Sequence, residues 1–324
     1  MRSVVMAFVT AALMAAIGQR IAAAEDFPTR PIKVIVGYAA GGPSDTGARL
    51  MADPLGRQLG QPIVIENQPG GGGLNSTESY ARYPADGYTL LLGAIGPLTI
   101  IPAAEKVSYD PLHDFTPLGL VWSSPLTLVI SRKLGVKTLK GFIAYAKANP
   151  GKVTFGSAGV GSVTHLAAAL FMHKAGIQMT HIPYHSTSES LPALMGGQID
   201  SLFGDTPILA PQIKSGQIVG IAIAAKKRAA VLPDVPTMAE AGQQNVEAAS
   251  WFGFVASSKT PAPVIKRLQD AMSAAQKDPA YLAVLAKQSA SFGAPGADAY
   301  GDIIKTDAAK WKTVIDEANI KLNQ

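Results

Sequence analysis

The sequence predicts an α/β fold arranged as two lobes. Short β-branched runs alternate with helical stretches from residue 28 onward, the pattern of a mainly parallel sheet flanked by helices. Once the first 24 residues are set aside, 300 remain, a length that suits two domains better than one. The unit of strand, glycine-rich turn, hydroxyl residue and helix also occurs twice, at residues 32–59 and 153–175.

The first 24 residues read as a secretory signal peptide. Arg2 supplies the positive start, Val4 to Ile17 is apolar, and Ala22-Ala23-Ala24 offers a cleavage site before Glu25 and Asp26. An apolar run of about 14 residues is too short for the roughly 20 that span a bilayer. No cysteine follows it, so a free periplasmic protein, cleaved near Ala24, is expected. Without that leader, which holds Arg2 and Arg20 but no acid, the net charge falls from +5 to +3. The basic residues are scattered, which argues against nucleic acid as a partner. The absence of cysteine excludes disulfides, a Cys-ligated metal and a Cys nucleophile.

Ile32 to Val36 reads as the first strand, followed by the turn Gly37–Asp45 and a helix from about Thr46 to Leu59. Pro54 should kink or break that helix. Strands at 63–65 and 88–92 bracket Pro69–Gly73 and a helix reaching about Tyr83. The second set begins near Leu126. It holds a helix at 137–148, a strand at 153–155, the turn Gly156–Ser162 and a helix at 163–175. Strands at 179–182, 199–203 and 218–224 alternate with helices at 189–195 and 208–214. One further strand, 251–256, precedes helices at 264–277, 279–288 and 297–318.

The two glycine-rich turns suggest the chemistry. The first amides of a helix lack partners within it, and a glycine-rich approach lets an anion reach them where the helix dipole favours negative charge. Ser44 and Asp45 can cap the first helix, and Ser162 and Thr164 stand at the start of the second. Neither turn holds Lys or Arg, so amides and hydroxyls would hold the anion, which suits carboxylate better than phosphate. Two such ends facing one cleft would hold two anionic groups, or one anionic and one polar group.

Enzyme motifs are missing. The Gly156–Ser162 turn lacks the spacing of a nucleophile elbow, and neither a complete dinucleotide fingerprint nor a phosphate-loop lysine motif is present. Pro183 separates His181 from His185, so they cannot share a helix face as metal ligands. Neither cofactor nor metal is expected. His165, in the first turn of the second helix, suits either a site role or a loop hydrogen bond. Asp45 would repel a carboxylate and is read as shaping its loop. Arg49 and Asp53 should pair on the helix surface. Asp205 could meet an ammonium or hydroxyl group of a ligand, or else cap the next helix. Tyr38 and Tyr184 follow strands and can line the cleft, whereas Trp251 is read as packing between lobes.

The same segments resemble the Bug family of extracytoplasmic receptors, the receptors of tripartite tricarboxylate transporters. The resemblance runs from about Pro28 to Lys321. It rests on Pro31-Ile32-Lys33-Val34-Ile35-Val36, Ala40-Gly41-Gly42-Pro43-Ser44-Asp45, Asp86-Gly87-Tyr88-Thr89-Leu90-Leu91, Thr164-His165-Leu166 and Gly196-Gly197-Gln198-Ile199-Asp200, among others. It implies a periplasmic-binding-protein fold of the second type, with two α/β lobes, two crossing segments and a ligand cleft between them. The lobes would then be 25–124 with 250–324, and 125–249. The implied contacts fall on Tyr38, Ala40, Gly41, Gly42, Ser44 and Asp45 of one loop. On the other they fall on Ser157, Ala158, Gly161, Ser162, Val163, Thr164 and His165, with Ala94 and Asp205 nearby. Two segments depart from the family's pattern: Tyr184-His185-Ser186 stands where Tyr-Lys-Gly is frequent, and Phe203-Gly204-Asp205 where Phe-Asp-Asn is.

The leading expectation is a monomeric receptor that closes on a small mono- or dicarboxylate, aliphatic or aromatic, and delivers it to integral membrane subunits of such a transporter. Two alternatives stay open: a ligand-presenting partner of a membrane sensor kinase, and a serine hydrolase using Ser157 or Ser162 with His165.

Overall fold

The computed structural model describes residues 27–318 and 320–322. The expected signal peptide lies outside the described residues. The chain folds as two α/β lobes joined by two crossing strands.

In the first lobe, β1 (Ile32–Val36) lies between β2 (Ile63–Asn67) and β3 (Thr89–Ala94), parallel to both. Ile32, Val34, Ile35 and Val36 are all fully buried, as expected of a strand covered by helices on both faces. Helix α1 (Pro43–Leu59) follows β1, and α2 (Leu74–Tyr80) follows a tight turn at Gly71–Gly73. The short α3 (Ile101–Ala104) follows β3 through a single wide turn.

The largest departure from the sequence expectation is β4, a single strand over Phe115–Ile130. Its first part pairs antiparallel with β9 (Ala249–Ser257), and its last five residues pair with β7 (Ser201–Asp205). Residues 115–125 carry Pro117, Gly119 and Pro125, which weaken any strand signal. The ladder absorbs the irregularity with register shifts between Pro117 and Gly119 and between Leu120 and Trp122. Since β9 also pairs with β3, the sheet is mixed rather than mainly parallel, with strand order β2-β1-β3-β9-β4-β7, then the strands at Thr154–Ser157 (β5) and Thr180–Pro183 (β6), and β8 (Val219–Ile223) beside β4.

The second lobe places β5 (Thr154–Ser157) parallel to β6 (Thr180–Pro183) and β7. Helices α4 (Leu139–Ala148), α5 (Val163–Ala175), α6 (Thr187–Gly196) and α7 (Thr206–Lys214) cover it. The closing helices α8 (Ala262–Ala275), α9 (Pro279–Lys287) and α10 (Ala297–Ala318) follow β9; α8 and α10 pack along β4 and α9 against α1. Trp251 is buried against Tyr300 of α10 and donates its indole N–H to Asp307 Oδ2 at 2.6 Å.

Helix α1 begins three residues before the expected Thr46, because Pro43 takes the first helical position and Gly42 the cap. Of the kink or break expected at Pro54, the break does not occur: the helix runs through it. Arg49 pairs with Asp45 rather than with Asp53.

Candidate functional site

The β1–α1 turn and the β5–α5 turn open onto one small cavity between the lobes. Tyr38 and Ser44 reach it from the first turn, and Ala158, Ser162, Val163 and Thr164 from the second. Asp205 completes the set of expected residues that line it. The cavity measures about 20 Å³, room for roughly one water.

The other expected residues lie around the cavity instead of lining it. Ala40 and Gly41 are exposed at the loop tip. Asp45 turns back to accept the Gly41 N–H at 2.9 Å and pairs with Arg49, which fixes the loop. Burial alone would raise the Asp45 carboxyl, but the Arg49, Gly41 and Asn67 contacts outweigh it and hold it below its ordinary value. Gly42 caps α1, and Ala94 ends β3 next to Ile95, which does line the cavity. Gly161 and Ser157 support the second turn, and Tyr184 continues β6 by donating its N–H to the Ser157 carbonyl.

The hydroxyls divide into committed and free. Ser162 Oγ caps α5 by accepting the His165 N–H and donates to the Gly159 carbonyl at 2.6 Å. Thr164 Oγ1 accepts the Ala158 N–H at 2.9 Å. Ser44 was expected as a cap, yet it sits at the second position of α1, where its buried Oγ has no hydrogen-bond partner. A buried hydroxyl without a partner costs about 1–3 kcal/mol, so a group that completes it is favoured.

His165 points away from the cavity and into the second lobe. Its Nδ1 accepts the Gly161 N–H at 3.3 Å, and its ring stacks on His181. Burial, with the His181 charge adding to it, pushes His165 down to about 3. The serine–histidine pairing considered from sequence therefore takes a different form. Ser157 Oγ meets His181 Nε2 at 2.6 Å, neither group lines the cavity, and neither Ser157 nor Ser162 bonds the His165 ring.

Sequence reasoning missed Pro43, Ile95, Ser186, Thr187, Ser250 and Phe252 as lining residues. Ser250 and Phe252 had a usable signal. Alternate residues of a strand share a face, so a Trp251 directed toward packing sends its two neighbours the other way.

A third glycine-rich loop, at 70–73, closes the cleft. A Cβ on Gly72 would lie 2.3 Å from the Val160 carbonyl, and one on Gly96 would lie 3.0 Å from the Gly161 carbonyl. Backbone therefore rests directly on backbone between the lobes. At the other end of the cleft Ala39 donates its N–H to the His185 carbonyl at 3.3 Å, and Ser188 Oγ donates to the Ala40 carbonyl.

The sequence pattern of the tripartite tricarboxylate transporter family receptor, TctC, matches residues 47–320. This chain belongs to that receptor family. A Cupriavidus necator relative, "UPF0065 protein in gbd 5′region", is 36% identical over 315 residues, covering 97% of this chain and 95% of its own. The structure of periplasmic binding protein BugD superposes with a TM-score of 0.86 at 31% identity, over 91% of this chain and 99% of that one. Two Rhodopseudomonas palustris proteins are similarly close. Rpa4515, solved with adipate, has a TM-score of 0.86 at 30% identity, over 91% and 99% of the two chains. MatC, solved with malate, has 0.85 at 31%, over 89% and 100%. The chain is a solute-binding protein of the TctC and Bug type, and its family and fold are those of solute-binding receptors.

Proposed function

We propose that this protein is a periplasmic receptor that closes two lobes around a small carboxylate and delivers it to the membrane subunits of a tripartite tricarboxylate-type transporter. One observation carries the reading: both glycine-rich strand-to-helix turns open onto the same cavity, and the partnerless Ser44 hydroxyl lies within it. Helix-start amides, a free hydroxyl and no lysine or arginine in the lining make a site for an anion held by neutral donors. The bound adipate and malate of the two R. palustris relatives support the same class. A one-water cavity is too small for such an acid, so capture requires the lobes to part and close again, with a hinge at the crossing strands.

In this reading the lobes comprise 25–124 with 250–324, and 125–249. The leader is removed near Ala24, and the receptor works as a monomer. A thermal-shift panel of mono-, di- and tricarboxylates and amino acids tests it, because a ligand that binds only the folded state raises the melting temperature with concentration. The carboxylate hits should lose about tenfold in affinity on Ser44→Ala, about one hydrogen bond's worth. A silent panel rejects the carboxylate assignment.

A further inference from the structure

Among the described residues, Asp205 is the one ionisable carboxylate that lines the cavity. It is 2% exposed and ends β7 at the cap position of α7, yet its side chain makes no capping bond to that helix. The capping role open to it from sequence is therefore not taken up. Its Oδ1 accepts instead from Ser124 Oγ at 2.7 Å and from Ser250 Oγ. The indole N–H of Trp122 donates to Ser124 Oγ at 3.2 Å, which turns the Ser124 proton toward Asp205, since an indole can only donate. Both donors are neutral. Among the described residues no lysine, arginine or histidine forms an ion pair with Asp205.

Burial raises the Asp205 carboxyl to about 6, so at neutral pH it is mostly an anion, enclosed and without a counter-charge. An enclosed anion is costly unless an opposite charge completes it. The walls beside it suit a cation, because Tyr38 and Phe252 line the same cavity and meet edge to face with centroids 6.0 Å apart. A second carboxylate placed against Asp205 would instead be repelled.

We infer that Asp205 is the specificity-determining residue of this site and receives the ammonium group of an amino-carboxylate ligand, whose carboxylate lies at the helix starts near Ser44 and Thr164. The inference rests on the carboxylate-receptor reading and narrows it to zwitterionic acids.

Calorimetric titration of the purified protein with three matched series tests it: L-aspartate, L-malate and succinate; L-glutamate, 2-hydroxyglutarate and glutarate; L-2-aminoadipate and adipate. In at least one series the amino member should bind at least about tenfold more tightly than the deaminated acid, as expected for one hydrogen-bonded charge pair. Asp205→Asn should bring that ratio to about one while the plain dicarboxylate still binds. If Asp205→Asn does not fold, the wild-type ratios decide alone. Dicarboxylates that bind as well as or better than their amino counterparts overturn the role of Asp205 and leave the carboxylate reading standing. Hydroxy acids that bind best overturn the ammonium assignment. No binding by any of the eight compounds overturns the amino-carboxylate assignment, and the wider thermal-shift panel then decides the carboxylate reading.

Discussion

The imidazole rings of His165 and His181 lie face to face, with centroids 4.1 Å apart and planes 7° from parallel. Phe155 continues the stack, 4.8 Å from His181. The two rings belong to α5 and β6, behind the cleft, and their closeness opposes charging both at once. Burial lowers His181 to about 4, and burial with the His181 charge lowers His165 to about 3.

This stack sets an acid limit on stability. The folded values lie below the unfolded value of about 6.5, so the contribution is fully present above that pH and is lost as pH falls toward 4 and 3. His181, whose shift comes from burial, contributes to that loss between pH 6.5 and 4. Asp205 acts in the opposite sense: its raised value favours the folded state below about pH 4, an advantage lost as pH rises through about 6. Its shift is smaller than the two histidine shifts together. Urea unfolding between pH 7.5 and 4 should therefore show a net fall in stability, and His181→Gln should flatten the slope. An unchanged slope in the variant would remove His181 as its source.

Gly72→Ala should act on closure more than on folding. The new methyl meets Val160 of the opposite lobe, and φ at Gly72 is +62°, a backbone region that costs a non-glycine residue about 1–2 kcal/mol. Separating the lobes relieves the clash but not the backbone cost. Small-angle scattering should show a more extended particle with ligand present, and affinity should fall at least about tenfold. Wild-type compaction and affinity in the variant would mean that this contact does not limit closure.

Ser124→Ala removes a donor from Asp205 and the acceptor of the Trp122 indole N–H. Stability at pH 7 should fall by about 2–4 kcal/mol, since one buried donor and one buried charge each lose a partner. The loss should shrink at pH 4.5, where Asp205 is largely protonated. Chemical denaturation at the two pH values checks both parts, and an equal loss at each would detach Ser124 from the Asp205 charge.

The sequence made local units legible and left their meeting points obscure. The β1 run of Ile32, Val34, Ile35 and Val36 and the turns after β1 and β5 declare themselves through periodicity and glycine. The first half of β4 does not, because proline and glycine interrupt a strand whose stability comes from pairing with β9, a partner about 130 residues away. The start of α1 was placed late because Pro43 and Gly42 read as turn residues, although proline at a first helical position is equally at home. His181 was weighed against His185, its neighbour in sequence, whereas its actual companions are Ser157 and His165. Within the site, Ser44 and Thr164 follow from helix-end chemistry. Ser250 and Phe252 required knowing which face of β9 meets the cleft.

The two crossing strands run side by side, with Ser124 directly opposite Ser250 in their ladder. Those same two residues hold Asp205, so the buried charge is moored at the fulcrum of the molecule. If the lobes part and close as proposed, they turn about this paired ribbon. The footing of Asp205 would then shift with every swing, so the movement and the binding charge would share one pivot.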